Sequence, residues 1–121
     1  MALHRATYAE IDLSALRKNF NAIRAALQPQ VKIMAVVKAD AYGHGAVPCA
    51  KAFLEAGADC LGAGIIAEGI ELRESGINAP VQILAGIFSD EIEDLIKYDL
   101  STTLYSLEMA EAIAQKATRE G

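Results

Sequence analysis

Tryptophan is absent from these 121 residues, and aromatic residues of all kinds make up only 6%. That argues against a stacking platform for single-stranded nucleic acid, which is built on rings. Positive charge is also short: 11 Lys and Arg stand against 16 Asp and Glu, for a net charge of -5. Phosphate backbones are gripped by basic faces, so no nucleic-acid partner is expected. Only two cysteines occur, Cys49 and Cys60, with no CxxC and no neighbouring histidine pair. A disulfide framework or a zinc site needs more ligands at closer spacing, so both read as reduced thiols in a core and no metal is expected. No apolar run approaches the roughly 20 residues of a membrane span. The opening, MALHRATYAEID, lacks the apolar stretch of a signal peptide. The expectation is a cytoplasmic protein with no membrane contact.

What is present is apolar and ordered. The hydrophobic fraction is 53% and the charged fraction 22%, which excludes intrinsic disorder and suits one ordinary domain. Residues 7–12 alternate weakly and read as a strand, after which Asp12 can cap a helix. Leu13, Leu16, Phe20, Ile23 and Leu27 recur at steps of three and four, one face of an amphipathic helix that Pro29 stops. Ile33–Val37 is apolar throughout, the pattern of a strand covered on both faces in a parallel sheet. A loop over 40–45 follows; Pro48 suits the first turn of the next helix, and Gly57 closes it. The alternation then repeats: strands at 60–66, 81–85 and 100–104, helices at 68–74, 89–97 and 106–118, with Ser89 or Asp90 capping the second of these. Such a βαβ series implies parallel strands and right-handed crossovers. Two architectures fit. One is a small, open, doubly wound sheet, which the length favours. The other is half of a (β/α)₈ barrel, whose complete form needs ~250 residues.

Two motifs bear on chemistry. Gly62-Ala63-Gly64-Ile65-Ile66-Ala67 matches the dinucleotide fingerprint, but it follows the second strand, and the segment Gln82–Gly86 carries no acid for a ribose. Small residues packed at a strand end explain it as well. The second is Lys38 with its loop. A lysine ending a buried strand is driven toward the uncharged amine, the nucleophile that Schiff-base chemistry uses. The C-terminal ends of parallel strands are also where α/β folds place their chemistry. Tyr42 adds a phenol on the same loop, and Gly43 and Gly45 allow a sharp turn and close approach to a ligand. The bland alternative is a strand-ending lysine that reaches solvent.

The stretch Val36-Val37-Lys38-Ala39-Asp40-Ala41-Tyr42-Gly43-His44-Gly45 resembles the pyridoxal-phosphate attachment signature of alanine racemases. Arg5–Leu13 resembles the family's opening, and Glu68–Ile77 with Ala79-Pro80 resembles its second helix and the approach to its third strand. The resemblance implies the N-terminal half of a (β/α)₈ barrel, about four strand–helix units and incomplete on its own. Residues 1–12 would give a strand that pairs with a missing, mostly β C-terminal domain, and residues 13–121 the partial cofactor-binding barrel. It implies pyridoxal 5'-phosphate held as a Schiff base on Lys38, with Lys38 as one of two bases. Tyr42 would contact the cofactor phosphate region, and Leu84, at the end of the third strand, would pack near the cofactor ring. It implies racemisation of L- and D-alanine, D-alanine supply for peptidoglycan, and a homodimer in the complete enzyme. His44 reads as a loop hydrogen-bonder and His4 as a surface residue.

Racemases of this type are much longer than 121 residues. The second catalytic tyrosine, the later phosphate-binding segment and the arginines that serve cofactor and substrate have no counterpart here. Tyr98 and Tyr105 lie in the wrong segments to replace that tyrosine. The chain alone is therefore expected to be inactive and to need the missing part of the enzyme or a second copy. A serine or broad-specificity racemase of the same fold, and a non-catalytic half-barrel used in assembly, are the alternatives.

Overall fold

Asp12 opens the first helix as the sequence leads one to expect: its carboxylate accepts the N–H groups of Ser14 at 2.8 Å and Ala15 at 3.0 Å. The computed structural model describes residues 6–121. Helix α1 runs over Leu13–Ala26 and buries Phe20, whose ring meets that of Phe53 with centroids 6.1 Å apart. Strand β1 (Met34–Val36) follows, then a turn over Lys38–Gly43 and helix α2 (Ala46–Ala56). Gly57 ends α2 in the left-handed conformation that glycine adopts without penalty. Next come β2 (Cys60–Ala63), α3 (Ile66–Glu74) and β3 (Val81–Ile83). A 3₁₀ turn at Ser89–Glu91 leads into α4 (Ile92–Lys97), β4 (Ser101–Thr102) and α5 (Leu107–Glu120).

The sheet has the order β1-β2-β3-β4, with every neighbouring pair parallel. Ala35 stands opposite Leu61, Leu61 opposite Val81, and Ile83 opposite Thr102. The order never reverses, so right-handed crossovers put every connecting helix on the same face. A doubly wound sheet needs a reversal and helices on both faces. This is the singly wound half of a barrel, and it is not closed. Burial follows that geometry. Ala35, Leu61, Ala63, Val81 and Ile83 are buried under the helices with Leu72, Cys49 and Ala50. The opposite face carries Met34, Val36, Gly62 and Leu84, and Met34 and Val36 are 39% and 45% exposed. The expectation that β1 is covered on both faces is thus corrected: an apolar run marks a strand that sits between two layers, and in these residues only one layer is present.

Other differences are local. Residues 7–12 form no strand here, for a strand needs a neighbour to pair with, and none lies alongside among the described residues. The strands are also shorter than the apolar runs suggest. Neither Ser89 nor Asp90 caps the fourth helical segment; instead the Glu91 carboxylate folds back onto the Phe88 N–H at 2.8 Å. His4 lies outside the described residues. No helix among the described residues is long and apolar enough to cross a membrane.

Candidate active site

Lys38 lies just past the end of β1, on the open face, and is half-buried. Its stem rests over Gly64, where an added Cβ would stand 3.5 Å from the Lys38 Cβ. Leu84 is the first residue past β3, and its N–H donates to the Ala63 carbonyl at 2.8 Å while Ala85 N–H reaches Gly64 at 3.0 Å. The Tyr105 hydroxyl, beyond β4, donates to the Leu84 carbonyl at 2.8 Å. Lys38, Gly64, Leu84 and Tyr105 therefore gather at one mouth, at the C-terminal ends of four successive parallel strands. Gly62 makes the floor of this mouth apolar. With no side chain of its own, it lets Met34, Val36 and Leu84 converge, and a Cβ there would sit 3.1–3.2 Å from all three.

The turn that carries Lys38 changes hand immediately after it. Ala39, Asp40, Ala41 and Tyr42 all have φ of 51–55°, one turn of left-handed helix made of residues with side chains. Each such residue costs roughly 1–2 kcal/mol, and strain of this kind persists only where surrounding structure fixes it. Here several bonds do so. The Ala41 N–H donates to the Val37 carbonyl and Gly45 N–H to Asp40, each at 2.9 Å. The Asp40 carboxylate accepts the Ala46 N–H at 2.7 Å and so anchors the start of α2. The Glu68 carboxylate accepts the Ala39 N–H at 2.8 Å. The glycines expected to supply the reversal do take positive φ, 85° at Gly43 and 92° at Gly45, but they end it rather than begin it. Alanine, aspartate and tyrosine carry no signal for four left-handed residues, so the sequence did not reveal this turn. Tyr42 ends it 72% exposed, its phenol free of intramolecular partners among the described residues. His44 behaves as expected, with Nδ1 2.9 Å from the Ala41 carbonyl oxygen.

Sequence reasoning placed only Asp40 as a carboxylate near Lys38. The structure adds Glu68, from the next strand–helix unit, which grips the residue that follows Lys38. Burial pushes the Cys49 thiol above its usual range, with the nearby Asp40 charge adding in the same direction. Cys60 is half-buried, and both cysteines are free thiols.

Size does not mark the mouth. A cavity of about 540 Å³ lies instead between α1 and the outer edge of β1, lined by Leu16, Phe20, Ile33, Met34 and Phe53. It is an apolar groove beside an unpaired strand edge. The amine, the phenol and the left-handed turn are all at the strand ends, and chemistry rather than volume locates the site.

The donor set suits an aromatic aldehyde cofactor: an amine to bond it, an aliphatic side chain at the level of a ring, and a phenol on the same turn. Residues 11–121 match the family model described as alanine racemase, N-terminal domain. An alanine racemase of Halothermothrix orenii is 48% identical over 115 residues, which cover 95% of this chain and 30% of the relative. A solved alanine racemase of Clostridium difficile 630 superposes with a TM-score of 0.94 at 43% identity, covering 99% of this chain and 31% of that one. The Bacillus anthracis alanine racemase with bound L-Ala-P superposes with a TM-score of 0.90 at 35% identity, covering 100% of this chain and 31% of that one. The chain thus spans about 30% of the length of the relatives it matches.

Proposed function

The chain belongs to the alanine racemase N-terminal domain family, and from that premise we propose that the complete protein interconverts L- and D-alanine with pyridoxal 5'-phosphate, Lys38 being its anchor and one of its two bases. The observation that carries this reading is the position of Lys38. It is a half-buried lysine just past the end of a parallel strand, its stem over Gly64 and its backbone leading into a left-handed turn.

Pyridoxal 5'-phosphate, when bound, supplies the electron sink for the pair left on Cα after a proton departs. Lys38 would hold it through its amine. Once the amine of alanine has displaced it from the cofactor, the freed Lys38 amine would take a proton from the alanine Cα on one face, or return one there. Leu84 would pack on the ring, closing one side of it to water. Tyr42, exposed at the end of the turn, would reach the phosphate with its hydroxyl. Inversion at Cα needs a second acid–base group on the opposite face. Tyr105 does not supply it, because its hydroxyl is engaged with the Leu84 carbonyl. Tyr98 is set against Lys97, with the ammonium 5.1 Å from the ring centroid. That group, and the cations for phosphate and substrate carboxylate, would come from the remainder of the enzyme. The same reading makes the protein a cytoplasmic homodimer that supplies D-alanine for peptidoglycan.

Borohydride reduction of the complete, cofactor-loaded protein followed by peptide mapping tests it. The adduct is expected on Lys38, and an adduct on Lys32, on Lys51 or nowhere overturns the assignment. Lys38→Ala is expected to abolish racemisation, since it removes both anchor and base.

A further inference from the structure

We propose that Glu68 is the positioning residue for Lys38: its carboxylate ties the peptide bond after the lysine to the end of the neighbouring strand, and so sets where the amine stands in the mouth. The inference rests on the racemase reading of the site. One oxygen of Glu68 accepts the Ala39 N–H at 2.8 Å, and the other accepts the Gly64 N–H at 2.6 Å. Ala39 follows the β1 strand end, and Gly64 follows β2. One carboxylate thus bridges two strand ends that the sheet ladder itself no longer joins.

Its placement is specific. Ala39 is the first left-handed residue of the turn, with φ 52°. The bond therefore holds the N–H at the point where the backbone changes hand, which is where a strained turn would relax first. The peptide plane between Lys38 and Ala39 fixes the direction in which the lysine side chain leaves the backbone. Glu68 lies in the first turn of α3, where a negative charge also faces the positive end of the helix. Gly64 completes the arrangement. A Cβ there would stand 3.0 Å from a Glu68 oxygen and 3.5 Å from the Lys38 Cβ, so a methyl group would crowd the clamp while making only an ordinary contact with the lysine.

Bonds from two backbone N–H groups to one carboxylate define the expected variants. Glu68→Gln keeps one accepting oxygen and loses the other, since an amide nitrogen cannot accept. Glu68→Ala loses both.

The test uses the complete protein in two arms. In the first, amide hydrogen exchange is read on the cofactor-free protein. Glu68→Ala should speed exchange at Ala39 and Gly64 by ~10-fold, as loss of a charge-assisted bond implies, with the amides of Leu61 and Leu84 unchanged. In the second, Glu68→Ala in the loaded enzyme should lower kcat by ~10- to 100-fold with little change in KM, and Glu68→Gln should fall between it and the parent. Gly64→Ala keeps the Glu68 side chain but crowds its oxygen, and should lower kcat in the same direction. Unchanged exchange at Ala39 would show that the bridge does not hold in solution. Faster exchange throughout the sheet would make Glu68 a general stabiliser, and a local increase with unaltered kcat would show that the clamp does not position the amine. Each of these overturns the proposal. A parent protein that fails to racemise alanine sinks the functional reading instead, and the exchange arm, which needs neither cofactor nor substrate, still decides whether the clamp exists.

Discussion

Replacing Arg73 should unfasten the third and fourth strand–helix units from one another. Among the described residues, the guanidinium of Arg73 bonds only to backbone carbonyls. Its Nε donates to Tyr98 at 2.8 Å, Nη1 to Ile77 at 2.9 Å and to Ala79 at 2.7 Å, and Nη2 to Asp99 at 2.7 Å. Two of these acceptors lie between α3 and β3, and two between α4 and β4, where Asp99 turns the chain with a φ of 49°. One planar fork thus ties together the approaches to two adjacent strands, a geometry that suits arginine and not lysine. A hydrogen bond to a charged donor contributes ~1.5–3 kcal/mol when its partner would otherwise stay dry. Asp99 is exposed and Ala79 and Tyr98 are half-buried, so water takes over part of the loss. Arg73→Ala should therefore cost about 3–5 kcal/mol, well below four bonds at full value. Arg73→Lys keeps the charge but gathers its donors on one nitrogen, and should recover less than half of that loss. The assay is native-state hydrogen exchange on the complete protein, followed at the Thr103 and Leu84 amides that join β4 to β3 and β3 to β2. Protection there should fall by ~100-fold or more, at 1.4 kcal/mol per tenfold. A loss under ~1 kcal/mol, or an Arg73→Lys variant as protected as the parent, would refute the idea that the fork holds the units together.

Gly69→Ala sets two effects against each other. Alanine is favoured over glycine in a helix by ~1 kcal/mol, but a Cβ at Gly69 would lie 2.9 Å from the Ile83 Cδ1 and 3.0 Å from a Leu100 methyl. Both neighbours are core residues, at 0% and 8% exposed. Overpacking should win, with a net loss of about 1–2 kcal/mol by urea denaturation, and a stabilised variant would show that this core yields. Cys49 should resist alkylation at neutral pH while Cys60 reacts faster, as peptide mapping after a timed iodoacetamide pulse would show. Because folding raises the Cys49 pKa, the folded state holds its proton where the unfolded thiol has lost it, so stability should fall as pH rises above ~8.5. A Cys49→Ala variant with the same alkaline slope would assign that loss to other groups. Residues 1–121 expressed alone should self-associate, since the open face leaves Met34 and Val36 exposed beside an unpaired β1 edge. Sedimentation that finds a monodisperse monomer with sharp, cooperative unfolding would show that four units close their own core.

Much of this fold is legible in the amino-acid sequence because the signals are local. The Asp12 cap, the stop near Pro29 and the left-handed Gly57 act within a few residues of themselves, and each appears where the pattern puts it. The apolar runs mark four strands, since a parallel sheet leaves few other places for Val36, Leu61, Ile83 and their neighbours. Lys38 is legible for a different reason. The role proposed for it rests on a short contiguous motif, and the strand preceding that motif ends where α/β folds do chemistry.

What the sequence could not determine lies in contacts between distant residues. Periodicity leaves open a doubly wound sheet, and only the order β1-β2-β3-β4, with every crossover on one face, excludes it. The left-handed turn from Ala39 to Tyr42 is strained by its own residues and stands because Glu68, 29 positions on, holds its first N–H. Arg73 reads as an ordinary helix-terminal cation until the fold brings Tyr98 and Asp99 to it from 25 and 26 positions away. Local sequence decides which segments become helix or strand, because the relevant energies act within a turn or two. Which carboxylate reaches which amide, and which face stays open, follow from how those segments pack, and that is set by the tertiary structure.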